Sequence, residues 1–155
     1  MNKPADLKLE AVPMWINGRA IAPAAARMGE VFNPAPGQVV RRVPFATPEV
    51  VDEAVDAAAA ALPEWRNWPA LRRARVMQRF LRLMEEHQKD LARIVTEEHG
   101  KTLPDALGSI QRGMEVIEFA CGIPHLLKGE HSENVGTQVD THTVRQPVGI
   151  CAGIT

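Results

Sequence analysis

The chain has 155 residues, 45% of them apolar and 24% charged, with 18 basic and 19 acidic side chains intermixed to a net charge of -1. That balance argues against disorder, and the intermixed signs leave no basic footprint for nucleic acid or for an anionic membrane surface. No apolar run approaches the roughly 20 residues of a membrane-spanning helix, the first ten residues lack a secretory core, and two cysteines do not make a disulfide framework; a soluble, cytoplasmic protein is expected.

In chain order, residues 1–14 read as a flexible amino-terminal tail. Asn17-Gly18 lies between the short apolar segments of Trp15 to Ile21 and predicts a tight hairpin turn. A loop rich in Ala and Pro follows. Val31 to Gly37 carries turn chemistry, and Gln38 to Val43 predicts a short strand ending at Pro44. Thr47 can cap a helix that Pro48 starts, with Glu49, Asp52 and Glu53 near the positive end of its dipole. Val51, Ala54, Val55, Ala58 and Leu62 form its apolar stripe, and Pro63 is expected to break or kink it.

Pro69 predicts a second helix burying Leu71, Ala74, Met77, Phe80, Leu81 and Met84, with its arginines on a wet face. A third helix over 88–99 should stop at Gly100, and a fourth begins at Pro104. In the fourth, Leu103, Leu107, Ile110, Met114, Ile117 and Cys121 make the core stripe, whereas the opposite stripe holds Gly108, Arg112, Val116, Phe119 and Ile123. A guanidinium on so apolar a face needs a partner, and its fork suits a carboxylate. A structural Asp or Glu and an anionic ligand both remain open.

Val135 to Val144 is rich in β-formers, yet neither alternating face is apolar enough for a core. It reads as one long polar strand, an outlying arm that pairs with another segment or another subunit. The final run, Pro147 to Thr155, is unbroken and apolar, the pattern of a strand buried on both faces in a parallel sheet. The five histidines show no ligand spacing and Gly149 and Gly153 do not complete the three-glycine dinucleotide fingerprint. Neither cysteine has a nucleophile's local signature, and both are expected to be reduced core residues. No metal site is expected, and these residues complete no catalytic set.

Four motifs together point further. Phe32-Asn-Pro-Ala-Pro-Gly37, Val51-Asp-Glu-Ala-Val-Asp-Ala57 running to Trp65, Glu97-Glu-His-Gly-Lys101, and Arg145-Gln-Pro-Val-Gly-Ile-Cys-Ala-Gly-Ile-Thr155 resemble, in order and spacing, the amino-terminal third of the NAD(P)-dependent aldehyde dehydrogenases. Gly108 to Ala120 and Cys151 to Thr155 look most like the coenzyme A-acylating methylmalonate-semialdehyde dehydrogenase branch. The resemblance implies an α/β fold. It assigns 15–133 to the amino-terminal part of a Rossmann-like NAD-binding domain, 134–146 to an oligomerisation arm strand, and 147–155 to the first core strand of an incomplete sheet.

It further implies an enzyme in which a cysteine thiolate attacks an aldehyde, hydride passes to NAD, and the acyl group leaves to coenzyme A. The partners implied are a small-molecule aldehyde and further copies in a homo-oligomer, a tetramer in the intact enzyme. Neither cysteine here matches the nucleophile, so the chain itself is expected to be inactive. Arg112 matches a residue facing the substrate carboxylate, and Ile154 and Thr155 match positions whose backbone approaches the cofactor. The competing expectations are a stand-alone helical interaction module and an aldehyde dehydrogenase with a different substrate.

Overall fold

Hairpins and helices alternate along the computed structural model, which describes residues 11–21 and 27–154. Thr155, most of the expected tail and the Ala/Pro loop at 22–26 lie outside these residues. Contacts divide the chain into two compact units, residues 1–60 with 89–108 and residues 61–88 with 109–155. Two helices, α1 and α4, run from one unit into the other.

The first unit opens with strands β1 (Met14–Ile16) and β2 (Arg19–Ile21), paired antiparallel. Asn17 (φ 50°) and Gly18 (φ 71°) are both left-handed, as a two-residue primed turn requires. Strands β3 (Met28–Asn33) and β4 (Gln38–Pro44) form a second antiparallel hairpin. In its turn the Asn33 side-chain oxygen accepts from the Ala35 amide at 3.0 Å, and Gly37 sits at φ 69°. The turn chemistry over 31–37 therefore hides half a strand: Val31 to Asn33 pair with β4. Upstream, Ala11 bridges to Arg42, and the Val12 amide donates to the Arg42 carbonyl at 2.8 Å, so residues 11 and 12 of the expected tail join the edge of β4.

Helix α1 (Pro48–Asn67) starts where Thr47 and Pro48 predict. The amides of Val50 and Val51 donate to the Thr47 carbonyl, each at 3.1 Å. Hydrogen bonding from the Thr47 hydroxyl lowers the pKa of the Glu49 carboxyl, with the Glu49 amide adding to the effect. Pro63 does not break the helix, which continues four residues beyond it. A proline so close to the end removes one hydrogen bond from a terminal turn, a smaller loss than in a helix centre.

Helix α3 (Gln88–His99) completes the first unit with the opening of α4 (Leu103–Cys121). As expected, α3 ends at Gly100, whose φ is 83° and whose amide donates to the Thr96 carbonyl at 2.9 Å. Ile16, Pro44, Ala92 and Ala106 are its buried apolar side chains among the described residues.

In the second unit, α2 (Ala70–Glu86) follows Pro69 and packs against the short α5 (Ile123–Leu126), a fifth helix beyond the four expected. Ala74 and Met114 are buried, but Leu71 and Phe80 of the expected α2 core stripe are exposed. At the start of α2 the Arg72 guanidinium stacks 3.6 Å from the Trp68 ring centroid, beside the Trp65–Trp68 ring pair, a cation–π contact that also covers the indole.

The polar arm is a hairpin and not one strand. β5 (His131–Gly136) turns back through Thr137-Gln138 into β6 (Val139–His142), antiparallel, with Gln138 at φ 60°. Every residue of both strands is exposed, as a segment without an apolar face should be.

Residues 147–154 form no strand here, contrary to the expectation of a buried core strand. Val148 and Ile154 are almost fully exposed. A strand buried on both faces needs neighbouring strands and covering layers, and among the described residues no strand pairs with this run. Among the described residues the architecture is thus mixed α/β, with three separate two-stranded sheets and no assembled parallel sheet.

Candidate functional site

Helix α4 carries Arg112, the predicted substrate residue. At its start the Thr102 carbonyl accepts from the Ala106 amide at 2.9 Å, and Lys101 Nζ lies 3.1 Å from Asp105 Oδ2. Met114 is buried, with Leu107, Ile110, Ile117 and Cys121 half-buried on the same stripe; that stripe seats the helix and turns the other face outward. On the outward face Val116 is 69% and Phe119 70% exposed. Arg112 stands on this face, exposed, between a glycine one turn before it and Val116 one turn after.

No carboxylate among the described residues lies within ion-pair distance of Arg112. Among the described residues its side-chain partner is Ser109, whose Oγ accepts from Nη2 at 3.2 Å. Glu115, three residues on, accepts from Gln111 Nε2 at 3.3 Å. An internal salt bridge was one of the two readings open for Arg112, and the observed partner is a neutral hydroxyl. The guanidinium keeps its charge and most of its donors for an anion. Ser109 itself went unremarked in the sequence, though its three-residue spacing from Arg112 was visible there.

A second arginine in the first unit shows the contrast. Arg41 on β4 donates from Nη1 to Glu98 Oε1 at 2.9 Å and lies 3.2 Å from Glu97 Oε2 through Nη2. It borders a shallow depression of about 560 Å³ together with Asn33, Thr96 and Gly100. Two carboxylates over-neutralise this guanidinium, so it clamps β4 to the end of α3 and offers little to an incoming anion. Glu97 and Glu98 of the Glu97 to Lys101 motif serve this clamp, a function their residue types alone did not disclose.

The remaining predicted residues are not gathered with Arg112 by any described contact. Ile154 is fully exposed and Thr155 lies outside the described residues. Cys121 is half-buried, but Cys151 is exposed with only a weak contact to the Gly149 carbonyl at 3.9 Å. This corrects the expectation of two core cysteines, because Cys151 shares the fate of the unpaired terminal run. Among the described residues no group of three His, Cys, Asp or Glu side chains could hold a metal ion, and no helix is long and apolar enough to cross a membrane.

For a dinucleotide, a parallel strand must feed a glycine turn and then a helix whose amides meet the diphosphate. Residues 147–154 offer Gly149 at φ 138° but no ladder and no following helix among the described residues. By themselves they do not form that cradle.

Comparison with known proteins adds the frame this geometry lacks. The aldehyde dehydrogenase family model matches residues 21–155. A malonate-semialdehyde dehydrogenase of Pseudomonas aeruginosa is 46% identical over 140 residues, which is 90% of this chain and 28% of that protein. A mitochondrial, acylating methylmalonate-semialdehyde dehydrogenase of Arabidopsis thaliana is 45% identical over 143 residues, or 92% of this chain and 24% of that one. A crystal structure from Sinorhizobium meliloti, assigned as a methylmalonate-semialdehyde dehydrogenase and complexed with NAD, superposes with a TM-score of 0.86 at 41% identity, covering 91% of this chain and 29% of that one. The chain thus spans under a third of the length of these relatives.

Proposed function

Because this chain belongs to the aldehyde dehydrogenase family, we propose that it supplies part of an NAD-dependent enzyme that oxidises malonate or methylmalonate semialdehyde and passes the acyl group to coenzyme A. The observation that carries the substrate class is Arg112, a guanidinium with no carboxylate of the described residues in reach, on a face with two exposed large apolar side chains. A semialdehyde of this kind ends in a carboxylate, and a bidentate Arg–carboxylate pair fixes both its position and its orientation. The reactive aldehyde is then held at a set distance from the anchored end. Malonate and methylmalonate differ by one methyl group, and Val116, four residues along the same helix face, is of a kind to meet it.

The acylating outcome is supported by the acylating relative, and NAD by the NAD-bound structure. Ile154 and Thr155 are assigned to the cofactor side of the complete enzyme, and the 155-residue chain alone is assigned no turnover. Both faces of the β5–β6 hairpin are exposed, which suits pairing with another copy of the protein in a cytoplasmic homo-oligomer.

The test is the variant Arg112→Leu in the complete enzyme carrying this segment. Losing a charge-assisted pair of about 1.5–3 kcal/mol should raise KM for malonate semialdehyde roughly ten- to a hundredfold. Propanal, which has the same chain length and no carboxylate, should be affected far less. Equal effects on both aldehydes refute the assignment of Arg112 and leave the alternative of an aldehyde dehydrogenase for uncharged substrates.

A further inference from the structure

The long side chain of arginine carries four rotatable torsions, so an exposed guanidinium samples many orientations, of which few present its fork to a ligand. On α4 this freedom is limited by a specific contact. We propose that Ser109 is a positioning residue for Arg112, fixing the orientation of the guanidinium before a carboxylate-bearing substrate arrives; this rests on the substrate role assigned to Arg112 above.

Three observations support it. Ser109 Oγ accepts from Arg112 Nη2 at 3.2 Å, one turn earlier on the same helix. Ser109 is half-buried and Arg112 exposed, so the anchor sits on the more constrained of the two side chains. Other groups within a turn make no pair with it: Gly108 and Val116, the neighbours four residues away, carry no side-chain acceptor, and the Glu115 carboxylate accepts from Gln111 Nε2 at 3.3 Å and forms no ion pair with Arg112.

That last contact matters as much as the first. A glutamate three residues from an arginine is the usual intrahelical partner, and pairing there would neutralise the cation and withdraw it from a ligand. With Glu115 turned to Gln111 and not paired with Arg112, and Nη2 tethered to a neutral hydroxyl, the cation has no carboxylate partner among the described residues. One of five N–H donors is used, and the others remain available for a bidentate carboxylate. Ordering the side chain in advance reduces the entropy lost on binding, which is how preorganisation raises affinity without a new ligand contact.

The experiment compares Ser109→Ala, Ser109→Thr and Arg112→Leu in the complete enzyme carrying this segment, with kcat and KM measured separately for malonate semialdehyde and for propanal. Ser109→Ala should lower the ratio of kcat/KM for malonate semialdehyde to that for propanal roughly three- to tenfold, mainly through KM, the size expected for one net hydrogen bond. Ser109→Thr, which keeps the hydroxyl, should restore the ratio. An unchanged ratio in Ser109→Ala, or a loss in Ser109→Thr as large as in Ser109→Ala, overturns the positioning role. If Arg112→Leu lowers the ratio while Ser109→Ala does not, only this inference fails; if neither lowers it, the substrate role of Arg112 fails first.

Discussion

Replacing Gly100 by alanine tests how the first unit is held together. At φ 83° a residue with a Cβ costs about 1–2 kcal/mol more than glycine. The added Cβ would also lie 2.6 Å from Cγ of Pro34, nearly 1 Å inside ordinary van der Waals contact. Pro34 is a ring within the β3–β4 turn and cannot swing aside as a long side chain would, so repacking adds about 1–3 kcal/mol. Reduced freedom of the unfolded chain returns about 0.4–1 kcal/mol. The net expectation is a loss of about 1–5 kcal/mol, a large share of the stability of any small unit. Urea unfolding followed by far-ultraviolet circular dichroism measures it. Pro34→Ala in the same background should recover the steric part but not the backbone part. A Gly100→Ala protein within about 0.5 kcal/mol of the parent, or a double variant no more stable than Gly100→Ala alone, would show that Pro34 does not press on this position.

Two further substitutions probe the ends of the elements. The Thr47–Glu49 hydrogen bond depresses the Glu49 carboxyl, so its stabilisation is present above the ordinary glutamate range and is lost as pH falls through the lowered folded-state value. A carboxyl-carbon NMR titration should place the Glu49 midpoint below that of an ordinary glutamate, and Thr47→Val should move it upward; no movement would remove Thr47 as the cause. At the base of the arm, a Cβ on Gly129 would overlap the Thr143 carbonyl, a backbone atom with no rotamer to escape by. Gly129→Ala should therefore speed amide exchange at Thr143, now bonded to the Glu130 carbonyl at 2.8 Å, at least about tenfold, the equivalent of roughly 1.4 kcal/mol. Unaltered protection there would mean that the strands close without this contact.

The features legible in the sequence were those decided by a few adjacent residues. Asn17-Gly18 fixed a turn because both positions need positive φ, and Thr47-Pro48 and Gly100 bounded helices through local chemistry. The run at 147–155 is a different case: its pattern describes an environment, neighbours on both sides, which the described residues do not provide for 147–154. The arm misled because Thr137-Gln138 lacks the asparagine or glycine that usually announces a turn, although Gln138 adopts φ 60°. On α4 the apolar outer stripe singled out Arg112, and the structure shows that face exposed, with the guanidinium bonded to Ser109. Hydrogen-bond partners are side-chain geometry, however, so neither the serine tether nor the Gln111–Glu115 bond could be read from spacing alone.

The interleaving of the two units has a consequence for how this chain can be made or dissected. The first unit needs residues 89–108, which leave the ribosome only after all of α2, so it cannot close while the chain is being made until the α2 segment of the second unit has already emerged. A cut after residue 60 strands the hairpins without α3, and a cut after 108 divides α4 between Gly108 and Ser109, removing the site helix beyond its first turns. Expression of either half should yield an incomplete core, and any study of Arg112 must keep both.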